Sequence, residues 1–396
     1  MLPRINKKGT FYCIFFIALL QIIPFIGHSQ GRPVHFKQIS SEDGLSNNNV
    51  KCVFQDEKDF IWIGTMGGLN RYDGHEYQIY KNDEKDKSSI SNNHINSIAQ
   101  DKNGNIWVAT GGGGLNMFDR NKNRFYAYTH NEKDKGSITD NYVNSITFDK
   151  DGKLWLATPG GLDLFDPVNH KVITHYKHDI ASKTSLGDNN VNAVYCDGQN
   201  NIWAGTLSGL NLLDRKSNSF KKFIHDKTDT SISGNDVRCI FQDSKNKLWI
   251  GTFGGGLNLY LPATGTFKHF MHNSAKPGSI SHDNIMSINE TGGNLYVGTE
   301  NGGLNILDQH QLTFSSYFHD DIDHSSLGGN SVDCIFKDRQ NNLWLGIYSA
   351  GISMYKSSNF DHFQHYTSVN SLSHNHVLCF LKTNTKIYGL EQMAEG

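Results

Sequence analysis

The fold is decided by the stretch Asn105-Ile106-Trp107-Val108-Ala109-Thr110, because close copies of it recur along the chain. Each copy places an aromatic residue between small or aliphatic residues, and most copies run into a glycine-rich turn. The aromatic residues of successive copies are 45 to 48 residues apart. A period this regular indicates copies of one supersecondary unit. The aromatic residues are Trp62, Trp107, Trp155, Trp203, Trp249, Tyr296 and Trp344.

Each repeat has the pattern of four short strands. In the second repeat, the alternating run 95–98 precedes a turn that contains Asp101 and Gly104, and the Trp107 stretch follows as the second strand. Residues 115–119 and 125–128 supply the third and fourth strands. Four antiparallel strands in a unit of this length match the blade of a β-propeller. The sequence therefore predicts an all-β protein, a seven-bladed β-propeller of four-stranded antiparallel blades.

The seven aromatic residues are predicted to form the structural core between neighbouring blades, because large aromatic side chains dominate core packing. A ring of ligand-stacking tryptophans is the alternative. Tyr296 departs from tryptophan but keeps an aromatic ring. Residues 35–39 have the pattern of a fourth strand with no blade before it. We expect them to complete the seventh blade and close the ring, which would remove exposed edge strands.

The chain divides into three predicted segments. Residues 1–29 have basic residues near the N-terminus, an apolar run at 11–26 and small residues at Gly27 and Ser29, which is typical of a signal peptide. A retained N-terminal anchor is the alternative, although Gln21 and Pro24 disfavour a membrane-spanning helix. Residues 30–359 are predicted to form the propeller. Residues 360–396 are predicted to be the truncated start of a further blade or second propeller, with an aberrant C-terminus.

The last residues of the chain begin an eighth copy of the repeat at 371–380, but the expected tryptophan does not follow. One permitted set of codons for residues 386–396, read two bases later, encodes Asn-Ile-Trp-Ile-Gly-Thr-Asp-Gly-Gly-Gly. That translation is the repeat core. We therefore hypothesise that a frameshift in a longer reading frame produced this ending.

Composition restricts the classes of partner. The formal net charge is −2, and the charged runs mix both signs, so nonspecific binding to nucleic acid or to an anionic membrane is not expected. Four of the six cysteines occupy one repeat position, where other repeats carry serine or alanine. This pattern predicts structural thiols, with disulfides as the alternative. The four are Cys52, Cys239, Cys334 and Cys379.

The repeated glycine and histidine positions are predicted to be structural. Turns such as 111–114 join two strands and lack the helix N-terminus that a phosphate-binding loop requires. Histidines at one repeat position would be spread around the ring and would not converge on one metal ion. No acidic pair outside the repeat pattern suggests glycoside hydrolysis. No catalytic residue, metal site or cofactor is predicted. These histidines are His130, His178, His225, His272, His319 and His365.

Ligand-binding residues are expected where the repeats disagree, because repeated positions build the scaffold and variable loop positions decorate one face. Aromatic, amide, acidic and guanidinium groups vary after the second strand and at the start of the first. Such groups suit a sugar, whose faces stack on rings and whose hydroxyls take hydrogen bonds. Ordinary loop surface is the alternative for each position. The candidates are Phe253, Tyr348, Glu300, Asn301, Arg238, His94 and Tyr142.

The recurring pattern Leu/Ile-Trp-x-Gly/Ala-Thr, with a glycine-rich turn and Gly-Leu-Asn after it, resembles the two-component regulator propeller repeat over residues 35–380. Proteins with such repeats resemble periplasmic sensors of hybrid two-component systems, in which propellers precede a membrane helix and a histidine kinase. The resemblance implies that this chain is the N-terminal periplasmic sensor part of such a protein, truncated before the kinase. It also implies that the chain senses an oligosaccharide or another small periplasmic ligand and has no catalytic output of its own.

Two other functions stay open. One is a propeller enzyme that resembles streptogramin lyase, which shares short tryptophan-containing blades. The other is a purely structural scaffold for protein interactions. A homodimer or a second propeller would be the protein partner, and no membrane contact is expected after cleavage of the signal peptide.

Sequencing the DNA that encodes residues 381–396, together with the bases beyond, will test the frameshift hypothesis. We expect the codons of residues 386–396 to read as the repeat core two bases later, and further repeats to follow downstream. A different set of codons, or the absence of downstream repeats, would contradict it.

Overall fold

The computed structural model describes residues 34–356, 377–382 and 387–392. Within this part of the chain, β-strands make up nearly all regular structure, and the one helical segment is the short 3-10 turn Ser41–Asp43. The predicted signal peptide and the strand expected near residues 360–366 lie outside the described residues. The strands Val377–Lys382 and Ile387–Gln392 pair as an antiparallel hairpin.

Twenty-eight strands pair into seven four-stranded antiparallel sheets, which we call blades 1 to 7 in chain order. The first strands are Val50–Gln55, Ile95–Gln100, Ser145–Phe148, Val191–Cys196, Val237–Gln242, Ile285–Thr291 and Val332–Lys337. The second strands are Ile61–Thr65, Ile106–Thr110, Leu154–Thr158, Ile202–Thr206, Leu248–Thr252, Asn294–Thr299 and Leu343–Ile347. The third strands are Gly68–Tyr72, Leu115–Asp119, Gly161–Asp166, Gly209–Asp214, Gly256–Leu261, Leu304–Asp308 and Gly351–Tyr355. The fourth strands are Tyr77–Tyr80, Arg124–Tyr128, Lys171–Tyr176, Ser219–Phe223, Thr266–Phe270, Thr313–Tyr317 and Phe36–Ile39.

The seventh blade takes its fourth strand from the start of the described chain. Phe36–Ile39 pairs antiparallel with Gly351–Tyr355, so that Phe36 lies opposite Tyr355 and Ile39 lies opposite Ile352. Each first strand contacts the first strands of both neighbouring blades, including that of blade 7 against that of blade 1. The ring is therefore closed, and the predicted seven-bladed propeller with its shared seventh blade is confirmed.

The tryptophans are buried where neighbouring blades meet. Trp62 of blade 1 is fully buried among residues of blade 2, with its ring 5.7 Å from that of Phe118. Trp107 packs in the same way against Phe165 of blade 3. The second strands that carry these rings are buried along their whole length in six blades. Burial of a large aromatic ring between each pair of sheets therefore holds neighbouring blades together.

An aspartate carboxylate, buried in five of the six cases, orients each tryptophan. The indole Nε1 donates a hydrogen bond to an aspartate six residues earlier, in the turn between the first and second strands. In blade 2, Asp101 also accepts hydrogen bonds from the backbone N–H groups of Asn103 and Asn105. One carboxylate thus fixes both the turn and the ring. The pairs are Trp62–Asp56 at 2.6 Å, Trp107–Asp101 at 2.9 Å, Trp155–Asp149 at 3.0 Å, Trp203–Asp197 at 2.9 Å, Trp249–Asp243 at 2.9 Å and Trp344–Asp338 at 3.0 Å.

Blade 6 departs from this arrangement. Tyr296 replaces tryptophan and Glu290 replaces the aspartate, and the first strand has seven residues, against six in five other blades. The Glu290 carboxylate accepts hydrogen bonds from the backbone N–H and the hydroxyl of Ser244 in blade 5, at 2.6 and 2.9 Å. Tyr296 is half-buried, whereas the tryptophans are buried. It therefore keeps the core position predicted for it but is less enclosed.

Cys52, Cys239 and Cys334 are free thiols, as predicted from their repeat position, and Cys196 is also free. Cys52 lies opposite Gly64 on the neighbouring strand, and a Cβ atom at Gly64 would lie only 2.5 Å from the Cys52 sulfur. Burial raises the pKa of Cys239 and of Cys334 to about 12, so both stay protonated at neutral pH. The position requires a small side chain because two strands and the next blade meet there.

The tryptophan core can be tested with two substitutions at Trp203. Trp203→Ala should lower the free energy of unfolding by about 3–5 kcal/mol, because it removes a buried aromatic ring and leaves a cavity. Trp203→Phe keeps a ring but removes one donor from the buried Asp197 carboxylate, which should cost about 1.5–3 kcal/mol.

Urea unfolding measures both changes in stability. Tyr296→Phe is the matched control, because Tyr296 has no aspartate at the corresponding position. Its loss should be smaller than that of Trp203→Phe. Equal losses at the two positions would contradict the role given to the aspartate–indole bond.

Candidate functional site

One face of the ring carries all seven residues that the sequence predicts to bind a ligand. We call it the upper face; it consists of the turns between second and third strands and of the residues at or just before the starts of the first strands. Antiparallel strands alternate in direction, so these turns and loops lie at the same end of every blade. Phe253, Glu300, Asn301 and Tyr348 follow second strands, and the other three lie at or just before the start of a first strand. Their role as ligand-binding residues stays a prediction.

The upper face is built on repeated hydrogen bonds. In blade 2 the Thr110 hydroxyl donates to the Gly114 carbonyl at 2.8 Å, and the same contact occurs in blades 1 to 6. Asn116 of the third strand accepts a hydrogen bond from the backbone N–H of Ser91 at 3.0 Å. Gly114 has a φ of 76°, which an L side chain rarely adopts. Threonine, asparagine and glycine therefore fix the turns, and they leave the intervening residues free to vary.

The structure brings two predicted residues, Arg238 and Phe253, together on blade 5. The Arg238 guanidinium lies over the Phe253 ring, 5.1 Å from its centroid, and forms a salt bridge of 2.6 Å with Asp236. Asn192 of blade 4 donates to the second oxygen of Asp236 at 3.0 Å. Phe253 itself is 39% exposed. An exposed ring, a guanidinium, a carboxylate and an amide thus occupy neighbouring positions.

A second group joins blades 7, 1, 2 and 3. Lys51 forms a salt bridge of 2.6 Å with Asp333 of blade 7, and its ammonium lies 5.8 Å from the ring of Tyr348. Tyr348 is 56% exposed. Burial first, and then the positive charge of Lys51, lower the pKa of His94, which favours a neutral imidazole. The rings of His94 and Tyr142 meet edge to face at 6.0 Å.

Glu300 and Asn301 are held by the loops before neighbouring first strands. The Glu300 carboxylate accepts a hydrogen bond from the Asn284 amide at 2.8 Å, and the backbone N–H of Asn301 donates to the Ser331 hydroxyl at 3.0 Å. Asn284 also accepts from the backbone N–H of Gly254 in blade 5 at 2.9 Å. These contacts tie the turns of blades 5 and 6 to the next blade. They do not bring Glu300 into the group around Arg238.

Sequence reasoning missed Lys51, Asp333 and Asn192. Each occupies the second position of a first strand, at a β-bulge that leaves it without a partner on the second strand. The sequence did carry a signal for them, because this position changes from blade to blade whereas the residues on either side of it recur. In chain order it holds Lys51, Asn96, Asn144, Asn192, Arg238, Met286 and Asp333.

The predicted structural role of the histidines is confirmed for the five that are described; His365 lies outside the described residues. In each case the ring Nδ1 is hydrogen-bonded to a backbone carbonyl of the following loop, as for His130 with Ile138 at 2.8 Å. The others pair with Leu186, Ile232, Ile280 and Leu327. Among the described residues, no three His, Cys, Asp or Glu side chains are placed to hold a metal ion.

Blade 3 contains a buried acid where most blades have asparagine. Asp163 replaces the asparagine of the Gly-Leu-Asn pattern and accepts hydrogen bonds from the backbone N–H and the hydroxyl of Thr139. Its other partner is the His175 Nδ1 at 2.7 Å. This hydrogen bond is the main cause that raises the pKa of His175. The pair is the clearest titratable departure from the repeat.

The comparisons with known proteins agree with this architecture. The family model described as "Two component regulator propeller" matches six segments, each running from the loop before a first strand to the turn after a second strand. These six segments are two-component regulator propeller repeats. The matched segments are 44–67, 89–112, 137–160, 185–208, 231–254 and 326–349. The repeat of blade 6, which contains Tyr296, is not among them.

Proteins with a signalling role are similar to this repeat chain. The extracellular domain of the hybrid two-component system BT3049 from B. thetaiotaomicron is 29% identical, with a TM-score of 0.72, over 90% of this chain and 46% of that one. "Histidine kinase P4" from Formosa agariphila is 34% identical over 76 residues, which cover 19% of this chain and 6% of that protein. The chain thus spans less than half the length of either relative, and the propeller resembles an extracellular sensor domain.

The likeness to a lyase shows the fold alone. Virginiamycin B lyase from Staphylococcus aureus has a TM-score of 0.58 at 13% identity, over 82% of this chain and 99% of that one. No helix among the described residues is long and apolar enough to cross a membrane.

The Asp163–His175 pair should make stability depend on pH. The pKa of His175 is raised in the folded state, so its contribution is fully present below the unfolded pKa near 6.5 and is lost as pH rises through the folded value. Asp163→Asn restores the side chain found in other blades and should remove this part of the dependence. Urea unfolding between pH 5 and 8, with the His175 ring followed by NMR, measures both effects. An unchanged His175 pKa in Asp163→Asn would contradict the assignment.

Proposed function

We propose that this propeller is a periplasmic sensor domain of the hybrid two-component type, which binds an oligosaccharide on its upper face and has no catalytic output of its own. The chain would act as the sensor part of a longer signalling protein. Support comes from the repeats and from the similarity to an extracellular domain of a hybrid two-component system. The propeller would reach the periplasm through the signal peptide predicted at residues 1–29.

The observation that carries this proposal is the group around Phe253. An exposed ring next to a guanidinium, a carboxylate and an amide supplies an apolar surface for one face of a sugar and both donors and acceptors for its hydroxyls. Arg238 and Lys51 are each already paired with a carboxylate at 2.6 Å. Because these pairs neutralise the cations, the upper face suits a neutral oligosaccharide better than an acidic one.

The repeated residues support the same assignment indirectly. The tryptophans, the turn aspartates, the threonines and the third-strand asparagines are all engaged in packing or hydrogen bonds within the scaffold. Residues that differ between blades are therefore the ones available to a ligand. On the upper face they include the rings of Phe253, Tyr348 and Tyr142, which are 39%, 56% and 38% exposed.

Calorimetric titration of the purified protein with a panel of neutral host and plant oligosaccharides tests the proposal. At least one should bind, and Phe253→Ala should weaken its binding about tenfold or more, because a stacked ring at the centre of a site dominates affinity. Tyr348→Ala shows whether the second group belongs to the same site.

Ile79→Ala is the matched control, since Ile79 is 41% exposed but lies on the outer fourth strand of blade 1. It should bind like the unchanged protein. Absence of heat with every sugar would count against direct sensing and favour an interaction scaffold. Binding that Phe253→Ala leaves intact would move the site away from blade 5.

A further inference from the structure

A large groove opens on the lower face, at the junction of blades 2 and 3. We call the lower face the end of each blade opposite the upper face; it carries the turns between first and second strands and between third and fourth strands. The groove has a volume of about 1120 Å³ and is lined by both kinds of turn, by the fourth strand of blade 2 and by Lys87 of the long loop that precedes blade 2. Small-molecule sites typically have about 300–1,000 Å³. The groove is therefore large enough for an oligosaccharide of a few rings.

At several other junctions, side chains from the next blade occupy this space. At the junction of blades 1 and 2, Gln100 accepts a hydrogen bond from the backbone N–H of Glu57 at 3.0 Å, and Arg120 forms a salt bridge of 2.6 Å with Asp56. The last residue of the first strand thus holds the preceding turn, and an arginine after the third strand reaches the preceding aspartate.

Related contacts recur around the ring. Gln242 and Gln55 hold the turns before them at 2.7 and 2.8 Å, and Glu290 does the same for blade 5. Arg215 of blade 4 forms a salt bridge of 2.7 Å with Asp149 of blade 3. The two contacts are therefore recurrent parts of this scaffold.

Blade 3 has neither residue. Phe148 stands where blade 2 has Gln100, and Pro167 stands where blade 2 has Arg120. A phenyl ring cannot accept the hydrogen bond of the turn as an amide does, and proline has no side chain that can reach Asp101. Both residues instead line the groove. The opening thus results from two departures from the repeat that meet across two blades.

The four carboxylates that line the groove all have partners within the scaffold. Asp101 accepts from Trp107 and Asn105, and Asp149 accepts from Trp155 and Arg215. The other two carboxylates are also paired, Asp119 with Lys122 and Asp151 with Arg215.

Lys87 and Arg124, in contrast, form no salt bridge with any carboxylate of the described residues. Both line the groove. The groove therefore presents cations whose charge is not neutralised by an ion pair.

An aromatic surface lies beside these cations. Arg124 lies 4.8 Å from the centroid of the Tyr126 ring, which is half-buried. The His170 ring stacks on Tyr128 at 5.4 Å with an interplanar angle of 13°, and His170 Nδ1 is hydrogen-bonded to the Tyr128 hydroxyl at 2.7 Å. Rings next to free cations are suited to a ligand that has an apolar face and an anionic substituent.

We propose that the groove between blades 2 and 3 is a second ligand-binding site, which takes an acidic oligosaccharide through its carboxylate or sulfate groups. Arg124 and Lys87 bind the anionic group, and Tyr126 packs against the sugar ring. Arginine is suited to this role because its planar guanidinium offers two parallel hydrogen bonds to a carboxylate or sulfate. The site is independent of the proposed upper-face site, since it lies at the opposite ends of the blades.

Calorimetry with three defined probes tests this proposal: trigalacturonate, a sulfated disaccharide, and maltotriose as a neutral trisaccharide. At least one acidic probe should bind, more tightly than maltotriose, and added salt should weaken it. Arg124→Gln should weaken binding by roughly tenfold or more. The two acidic probes distinguish a carboxylate from a sulfate as the recognised group.

Two further variants separate this site from a structural effect. Pro167→Arg supplies the side chain that two other junctions use to reach the preceding aspartate, so it should fill the groove and abolish binding while the protein stays folded. Lys268→Gln is the matched control, because Lys268 lies 5.5 Å from the ring of Phe270 but outside the groove. It should bind the acidic probe like the unchanged protein.

The outcomes are distinct. Loss of binding in Arg124→Gln and Pro167→Arg, with Lys268→Gln unaffected and all three equally resistant to urea, supports the site. Failure of both acidic probes to bind, equal affinity for maltotriose, or full binding by Pro167→Arg would overturn it. Phe253→Ala should not change the affinity for the acidic probe, so the fate of the upper-face proposal does not decide this one.

Discussion

The hydrogen bond from a tryptophan indole to an aspartate six residues earlier is the interaction on which the blades depend. A buried carboxylate is costly unless donors surround it. Here the donors are the indole and the backbone N–H groups of the turn itself, so the turn folds around the charge. In blades 1 and 3 the same carboxylate also binds an arginine of the next blade, Arg120 or Arg215. In those two blades one residue thereby joins the turn, the core ring and the neighbouring blade.

The upper ends of the blades are fixed by a different set of repeated contacts. A threonine hydroxyl closes the turn after the second strand, and a third-strand asparagine accepts the N–H of the loop before the first strand. Both contacts use side chains that are buried, so they compete little with solvent. Both ends of each blade are thus held by the repeat itself. Residues between the fixed positions can change without loss of the fold, and this freedom makes them available for recognition.

The fold was predictable from the sequence because it rests on local, repeated signals. The spacing of the aromatic residues gave the number of blades, and the isolated strand near Phe36 gave the closure. The site was predictable only in part. Phe253 and Arg238 stood out as departures from the repeat. Their contact with Asp236 and Asn192 depends on the β-bulge, which no residue type in the sequence predicts. The degree of burial of Tyr296 could also not be predicted from the sequence, because it depends on how the neighbouring blade packs.

The lower groove illustrates a second limit of sequence reasoning. Its two causes, Phe148 and Pro167, are unremarkable residues in a strand and a turn when each is considered alone. They matter because in several other blades the same positions hold residues that contact the preceding blade, and such contacts appear only in three dimensions. A single repeat alignment shows a substitution at each position, but only the closed ring shows that both substitutions face the same junction.

The two faces therefore offer different electrostatics on one scaffold. On the upper face, Arg238 and Lys51 each lie 2.6 Å from a carboxylate, which leaves little net charge for a ligand to meet. In the groove, the carboxylates are hydrogen-bonded or ion-paired to other residues of the propeller. The cations Lys87 and Arg124 form no salt bridge with a carboxylate of the described residues. A neutral, hydroxyl-rich ligand loses little by contact with the paired charges, whereas an anionic ligand gains most from the unpaired ones. The selectivity of such a propeller thus depends on which charged side chains are already paired within the scaffold.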